Sequence, residues 1–117
     1  IKKDIFDFLK KKIKGGKIKK RIVSLLLYGS LQTSNTDEKS DVDIAVIVKT
    51  KTDKQKIEEI FMKDIADQFY EYFGVHLDTY VKTKDEFLVR LKKNLPPVST
   101  LMQSYSVVYG KDPMDLK

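Results

Sequence analysis

Short apolar runs bounded by turn residues constrain the fold of this chain more than any other feature of its sequence. Ile22–Tyr28 (IVSLLLY) stops at Gly29, and Val42–Lys49 (VDIAVIVK) is rich in β-branched side chains. Apolar runs of this length and composition are typical of buried strands, because helices need about ten residues or more. Two later segments, Val75–Lys82 and Ser106–Tyr109, have the same character. The chain is therefore predicted to build a sheet from short strands.

Segments with helical periodicity lie between these strands. Residues 3–14 carry apolar side chains three and four positions apart and end before Gly15-Gly16. A longer helix is predicted to close at Gly74, and residues 84–94 form a shorter one before Pro96-Pro97. The apolar stripe of the longer helix consists of Ile57, Ile60, Phe61, Ile65, Phe69, Tyr72 and Phe73. Strands that alternate with helices predict an α/β (α+β) fold, with one mixed β-sheet and helices packed on one face.

The composition limits both the size and the chemistry of the protein. A chain of 117 residues with 41% hydrophobic content suits one domain over residues 1–117. The absence of cysteine excludes a disulfide scaffold, a thiol nucleophile and a zinc-thiolate site. A single histidine, His76, argues against a multi-histidine metal centre or a hydrolytic triad. No apolar run approaches the roughly 18 residues of a membrane span, so we expect a cytoplasmic protein with no membrane partner.

The positive charge of the chain is concentrated at its start. Residues 1–21 hold ten basic and two acidic residues, a net charge of +8, whereas the remainder has a net charge of −2. We interpret residues 1–21 as a basic helix and turn attached to a motif-bearing core over residues 22–82. The lysines are predicted to form a solvated helix face, or alternatively to bind an acidic partner or RNA phosphates. Arg21 is the one arginine of the segment, which disfavours base readout and makes nucleic acid the less favoured partner.

Three aspartates are predicted to meet on one surface of the sheet. Asp41 and Asp43 are two residues apart and share a strand face, and Asp78 shares a face of a later strand with His76 and Tyr80. If the two strands are neighbours, the carboxylates converge and repel each other unless a cation neutralises them. Mg²⁺ prefers such carboxylate oxygens together with substrate phosphates. The alternative is that these are ordinary solvent-exposed carboxylates at a strand edge.

A second motif follows the first strand. Gly29 allows the backbone to approach a ligand closely, and the amide and hydroxyl of Ser30 can hold phosphate oxygens. Ser30 could instead be a simple turn residue at the start of the polar segment 31–40, which is predicted to be an exposed loop. Tyr28 and Tyr80 could border a base pocket, although packing is the simpler role for both.

These two motifs together resemble a known family signature. Gly29-Ser30, ten intervening residues and then Asp41-Val42-Asp43 are similar to the signature of the nucleotidyltransferase superfamily that includes DNA polymerase beta. Asp78 falls where that family places a third carboxylate, and the resemblance covers residues 22–80. The small size most resembles the minimal nucleotidyltransferases, the antitoxins of pairs whose toxin is a small helical protein of the HEPN type.

The resemblance implies a role for each motif residue. Gly29 and Ser30 would bind the triphosphate of ATP, and Asp41 and Asp43 would ligate two Mg²⁺ ions. Asp78 would complete one metal site and help to deprotonate the acceptor hydroxyl. These residues would therefore form the catalytic, nucleotide-binding and metal-binding site.

The function implied by the resemblance is Mg²⁺-dependent transfer of AMP from ATP to a hydroxyl of a HEPN-type partner protein. One alternative is a non-catalytic antitoxin that neutralises its partner by complex formation. Another is nucleotidyl transfer to a small molecule or to RNA, which such enzymes usually perform with an additional substrate domain. Self-association into a homo-oligomer is left open by the sequence.

Overall fold

The computed structural model describes residues 1–29 and 41–117, so Ser30 and the predicted loop over 31–40 lie outside the described residues. The strands are β1 (Ile22–Tyr28), β2 (Val42–Val48), β3 (Leu77–Thr83) and β4 (Tyr105–Gly110). The α-helices are α1 (Lys2–Ile13), α2 (Lys17–Arg21), α3 (Lys51–Glu59), α4 (Ala66–Phe73), α5 (Lys84–Lys92) and α6 (Val98–Leu101). A π-helical segment (Ile60–Ile65) joins α3 to α4, and a 3-10 turn (Pro113–Leu116) follows β4.

The four strands form one mixed sheet, as the sequence predicts. Their order is β3-β2-β1-β4, with β1 antiparallel to both β2 and β4 and with β2 parallel to β3. A parallel pair needs a crossover connection, which here is the continuous helical segment from α3 to α4. The crossover places β3 directly beside β2, so the two strands that carry the aspartates are neighbours.

The first face of the sheet holds the larger core. Alternate side chains of β1 and β2, including Leu25, Leu27 and Ile44, pack against α1 and against the helical crossover. Phe61 and Phe69 of the crossover are fully buried there. This packing accounts for the predicted apolar stripe of the long helix and for the amphipathic pattern of α1.

The second face is also covered, which corrects the prediction that helices pack on one face. Leu26, Ala45 and Ile47 form a second buried cluster with residues of α5, α6 and the 3-10 turn. The helical members of this cluster are Phe87, Val98, Leu101 and Leu116. The alternation in β2 contains the signal for this second core, because Ala45 and Ile47 are apolar on the face that also carries the aspartates. The aspartates of this face therefore lie beyond the second core.

Helix α2 is a further difference from the sequence-based prediction, which placed a lysine-rich turn there. Gly16 has a positive φ of 78° and allows the chain to turn after α1 before α2 begins. Nη1 of Arg21, at the end of α2, donates to Oδ1 of Asp53 in α3 at 2.8 Å. This ion pair fixes the basic segment against the crossover.

Within the described parts of the chain, no helix is both long and apolar enough to span a membrane.

The start of α5 has a complete capping box. The Thr83 hydroxyl accepts from the Glu86 amide at 3.1 Å, and Oε1 of Glu86 accepts from the Thr83 amide at 2.9 Å. Nζ of Lys54 lies 3.2 Å from the same oxygen and links α3 on the first face to α5 on the second. The hydrogen bond from the Thr83 backbone, followed by the Lys54 contacts, lowers the pKa of Glu86 to about 2.

We predict that this capping box contributes acid-sensitive stability. Because the pKa of Glu86 is lower in the folded state, its contribution is present above the unfolded pKa of about 4.5 and is lost as the pH falls towards 2. Glu86→Ala should cost about 1 kcal/mol at pH 7, a figure kept small by partial solvent exposure. The difference from wild type should shrink between pH 4.5 and 2.5 in urea unfolding curves. Asp85→Ala, at an exposed neighbour in the same helical turn, is the control and should show a smaller effect.

Candidate active site

Four side chains form a row across one end of the sheet. Asp78 pairs with Asp43, Asp43 pairs with Tyr28, and Tyr28 pairs with Tyr105. Directly paired residues on adjacent strands project from the same face, so the row lies on the second face. The next row towards the middle of the sheet contains Leu26 and belongs to the second core. The row therefore marks the boundary between that core and the open end of the sheet.

The structure brings Asp43 and Asp78 together as predicted. The two residues are direct partners on adjacent strands, and Asp43 is partly buried whereas Asp78 is exposed. Burial, the charge of Asp78 and the charge of Asp41 raise the pKa of Asp43 to about 6. Neighbouring carboxylates repel each other unless a cation neutralises them. The pair is therefore a site of concentrated negative charge at the end of β2 and β3.

Asp41 lies just before β2, outside the paired strand residues that include Asp43 and Asp78. It is exposed and precedes the first residue of β2, and its charge acts on Asp43. Among the described residues, no three acidic or histidine side chains are grouped closely enough to hold a metal ion. The structure therefore has a preassembled pair, and the role of Asp41 as a metal ligand stays a prediction.

Gly29 contacts Asp43 directly through its backbone. Its φ is +85°, and a Cβ added there would overlap Oδ2 of Asp43 and lie 3.2 Å from its Cγ. Glycine is needed for both reasons, since other residues rarely adopt this φ and no other residue leaves room for the carboxylate. The end of β1 thus meets the acidic pair, as the glycine motif predicts. The predicted phosphate contact of Ser30 lies outside the described residues and stays a prediction.

The tyrosines around the pair are held in apolar surroundings. Burial, then the charges of Asp43 and Asp78, raise the pKa of Tyr28 to about 12, so its phenol stays protonated beside the acids. The Tyr80 hydroxyl is buried and has no hydrogen-bond partner among the described residues. Both rings pack against the second core, which agrees with the packing role expected from the sequence.

Tyr105 is a residue of the row that the sequence analysis did not identify. Its hydroxyl donates to Oδ1 of Asp112 at 2.5 Å, and burial together with this hydrogen bond raises its pKa to about 12. Its place opposite Tyr28 depends on the pairing register of β1 with β4, which has an irregularity between Leu25 and Leu26. The sequence predicts a strand over Ser106–Tyr109, so Tyr105 lies one residue outside it, and strand register could not be assigned from one sequence.

His76 packs outside the carboxylate row. Its ring stacks on the ring of Tyr70 in α4, with centroids 4.6 Å apart, and the residue is exposed. Its backbone carbonyl accepts from the Val42 amide at 2.9 Å, which aligns the start of β2 with the segment before β3. The described contacts of His76 are therefore structural, as its lone occurrence in the sequence suggests.

The donor set at this site suits a hard divalent cation. Carboxylate oxygens are the ligands that Mg²⁺ prefers, and Asp43 lies where burial and the charges of Asp78 and Asp41 raise its pKa. Asp43 and Asp78 would hold such an ion. The backbone of Gly29 closely approaches Asp43. Its main-chain groups could therefore contact an anionic ligand bound at the acidic pair.

Comparison with known proteins agrees with this arrangement. The family described as polymerase beta, nucleotidyltransferase matches residues 9–112. A relative from Methanocaldococcus jannaschii, named "Putative protein adenylyltransferase", is 26% identical over 92 residues. The match covers 78% of this chain but 60% of the relative, so the chain spans less than two thirds of its length. A crystal structure of a toxin-antitoxin with AMP-PNP superposes with a TM-score of 0.53 at 12% identity, covering 94% of this chain and 77% of the other. The structural similarity establishes a shared fold.

We predict that the contact between Gly29 and Asp43 can be measured as a coupling energy. Gly74→Ala is a matched control because Gly74 also has a positive φ, 74°, but open space at its Cβ position. Gly74→Ala should cost about 1–2 kcal/mol from the backbone alone. Gly29→Ala should cost at least ~1 kcal/mol more, and Asp43→Ala should remove that excess in the double variant. Urea unfolding of wild type, Gly29→Ala, Asp43→Ala and the double variant gives the coupling energy. Equal losses of stability in Gly29→Ala and Gly74→Ala would contradict the contact.

We further predict that Asp43 lowers the stability of the protein without metal at neutral pH. The pKa of Asp43 is raised in the folded state, so stability is lost as the pH rises from about 4 through about 6. In EDTA, Asp43→Asn should be more stable than wild type by about 1 kcal/mol at pH 7.5, and this advantage should vanish near pH 4. Thermal unfolding at both pH values measures it. Asp64→Asn, at an exposed site on the helical crossover, should show no such dependence.

Proposed function

Because the chain belongs to the polymerase beta nucleotidyltransferase family, we propose that it transfers AMP from ATP to a hydroxyl group of a partner protein. The observation that carries this proposal is the side-by-side placement of Asp43 and Asp78 on paired strands, next to the Gly29 backbone. An acidic pair that can hold a divalent cation, next to a backbone that can approach phosphate, is what nucleotidyl transfer requires. The name of the archaeal relative supports adenylyl transfer to a protein.

Each residue of the proposed site has a distinct task. The Gly29 backbone, with Ser30 beside it, would bind the triphosphate. Asp43 would occupy the centre of the site, where β1 and β3 both contact it. Asp78 would receive the proton of the acceptor hydroxyl, since it is exposed at the sheet edge and accessible to a second substrate. The hydroxyl oxygen would form a bond to the α-phosphorus as the bond to pyrophosphate breaks.

The carboxylates of Asp41, Asp43 and Asp78 would hold Mg²⁺, which when bound activates the attacking oxygen and stabilises the leaving pyrophosphate. The protein contributes the fixed strand register that keeps Asp43 and Asp78 side by side before any ligand arrives. Asp41, being exposed and outside the strand, would complete the ligand set by a small side-chain movement. Tyr28 stays neutral beside the acids and would not compete for the cation.

The acceptor is proposed to be a separate protein. Asp78 is exposed, so a surface hydroxyl of another molecule would be able to approach it. The structural neighbour was solved as a toxin-antitoxin with AMP-PNP, and we extend that pairing to this chain. The partner would then be a toxin, and a small helical protein of the HEPN type is our specific candidate.

A second candidate function is a binding module that neutralises the partner without chemistry. The observation that favours it is the lack, among the described residues, of a preassembled group of three metal-binding side chains. In this alternative the acidic pair would be a relic of the family, and complex formation alone would inhibit the toxin.

Labelled nucleotide distinguishes these two functions. The protein is incubated with α-labelled ATP, Mg²⁺ and the protein encoded by the neighbouring gene. We predict label on the partner with wild type and a loss of more than about 100-fold with Asp43→Asn or Asp78→Asn, because weakening even outer-shell metal partners costs 10–100-fold. Asp64→Asn is the control and should transfer label normally.

The same variants provide the deciding outcome. If wild type gives no label while Asp43→Asn binds the partner as tightly as wild type in calorimetry, the transferase proposal is wrong and the binding module stands. Label on added RNA or on a small-molecule acceptor, but not on the protein, would contradict the proposed acceptor while retaining the chemistry.

A further inference from the structure

A groove runs along the outer edge of β4, away from the acidic pair. In the sheet order β4 is terminal, and no described strand pairs with its outer edge. Helices α1 and α2 form the other wall, and the groove encloses about 540 Å³. Its lining consists of Lys10, Ile13, Lys14, Lys19 and the β4 residues 107–110. An exposed strand edge beside a cavity is a template for pairing with another chain.

The walls of this groove are basic and its base is apolar. Lys10, Lys14 and Lys19 line it and are exposed, and no acidic residue is among the lining residues. Within residues 1–29 and 41–117, none of these lysines forms an ion pair with a carboxylate. Ile13 and Val108 are buried beneath them. Nζ of Lys19 lies 5.1 Å from the centre of the Tyr109 ring. Among the described residues, the charge of the three lysines is therefore not balanced by a carboxylate.

We propose that this groove binds an extended acidic segment of a partner protein, which pairs with β4 as an additional strand. Strand addition uses the main-chain groups of an exposed edge for affinity and the flanking side chains for specificity. Lysines along one wall would pair with carboxylates at alternate positions of the added strand, since alternate side chains project to the same side. The intervening side chains would project to the opposite side of the added strand.

Charge and shape favour this occupant over two others. A second copy of the chain would bring its own groove lysines close to the lysines of the first copy. Repulsion between these like charges opposes pairing of the two β4 edges. A phosphodiester backbone would satisfy the lysines but would leave the edge of β4 unpaired. The acidic peptide is the ligand that uses both features of the groove.

The groove is separate from the proposed transfer site. Tyr105 lies in the carboxylate row, and Tyr109 is four residues further along β4, roughly 13 Å away at about 3.3 Å per residue. A segment bound there would leave the acidic pair accessible. The inference therefore goes beyond the proposed function, and its test needs no turnover.

A labelled peptide tests this binding directly. The probe is a fluorescein-labelled decapeptide of alternating glutamate and valine, measured by anisotropy with the full chain. Lys14→Glu/Lys19→Glu should weaken binding at least tenfold. Lys11→Glu/Lys63→Glu is the matched control, because it changes the net charge equally, includes one residue at the same end of α1, and lies outside the groove lining. That control should change the dissociation constant less than threefold.

Three further measurements decide between the occupants. A decapeptide with N-methylated valines keeps its charge but cannot complete strand pairing, so its binding should fall at least tenfold. Equal weakening by both lysine variants, or undiminished binding of the methylated peptide, would overturn the proposal in favour of general charge attraction. Tighter binding of a single-stranded RNA decamer, or a dimer in sedimentation that the groove variant dissolves, would overturn it in favour of those ligands.

Discussion

The parallel pairing of β2 with β3 is the constraint on which the rest of the molecule depends. In this register Asp43 stands directly beside Asp78, and a shift of one residue would turn one of them into the apolar core. Parallel strands cannot be joined by a hairpin, so the pairing requires the long helical crossover. That crossover in turn supplies Phe61 and Phe69 to the first core. The placement of the acidic pair and the first core thus both depend on the helical crossover between β2 and β3.

The two faces of the sheet divide structural and chemical roles unequally. The first face is mainly apolar, apart from Thr79 and Thr83 of β3, and carries most of the buried side chains. The second face is apolar in the middle, around Leu26, Ala45 and Ile47, and polar at the end where the aspartates lie. The partly buried pair of acids is costly to hold together in the absence of a cation, and the adjoining core on the same face keeps the strands in place. The proposed site is thus located where the second core ends.

Much of this arrangement could be predicted from the sequence because its signals are local. Apolar run length placed β1 and β2, and Gly74, which has a positive φ, was expected to end the long helix and does. Alternation within β2 put Asp43 on the face opposite Ile44. The position of Tyr105 opposite Tyr28 and the second helical layer could not be predicted. Both depend on which segments distant in the sequence pack together. The apolar pair Ala45 and Ile47 was the sign of the second layer that local reasoning overlooked.

The second core has a consequence for the order in which the protein can assemble. Its strand residues, such as Leu26 and Ala45, come early in the chain, whereas Phe87, Val98, Leu101 and Leu116 come late. The first core instead draws mainly on residues up to Val81, with Val108 from β4. During synthesis, nearly all residues of the first core therefore leave the ribosome before the residues that cover the second face of the sheet. The surface that supports the acidic pair is completed only when Leu116 has been added.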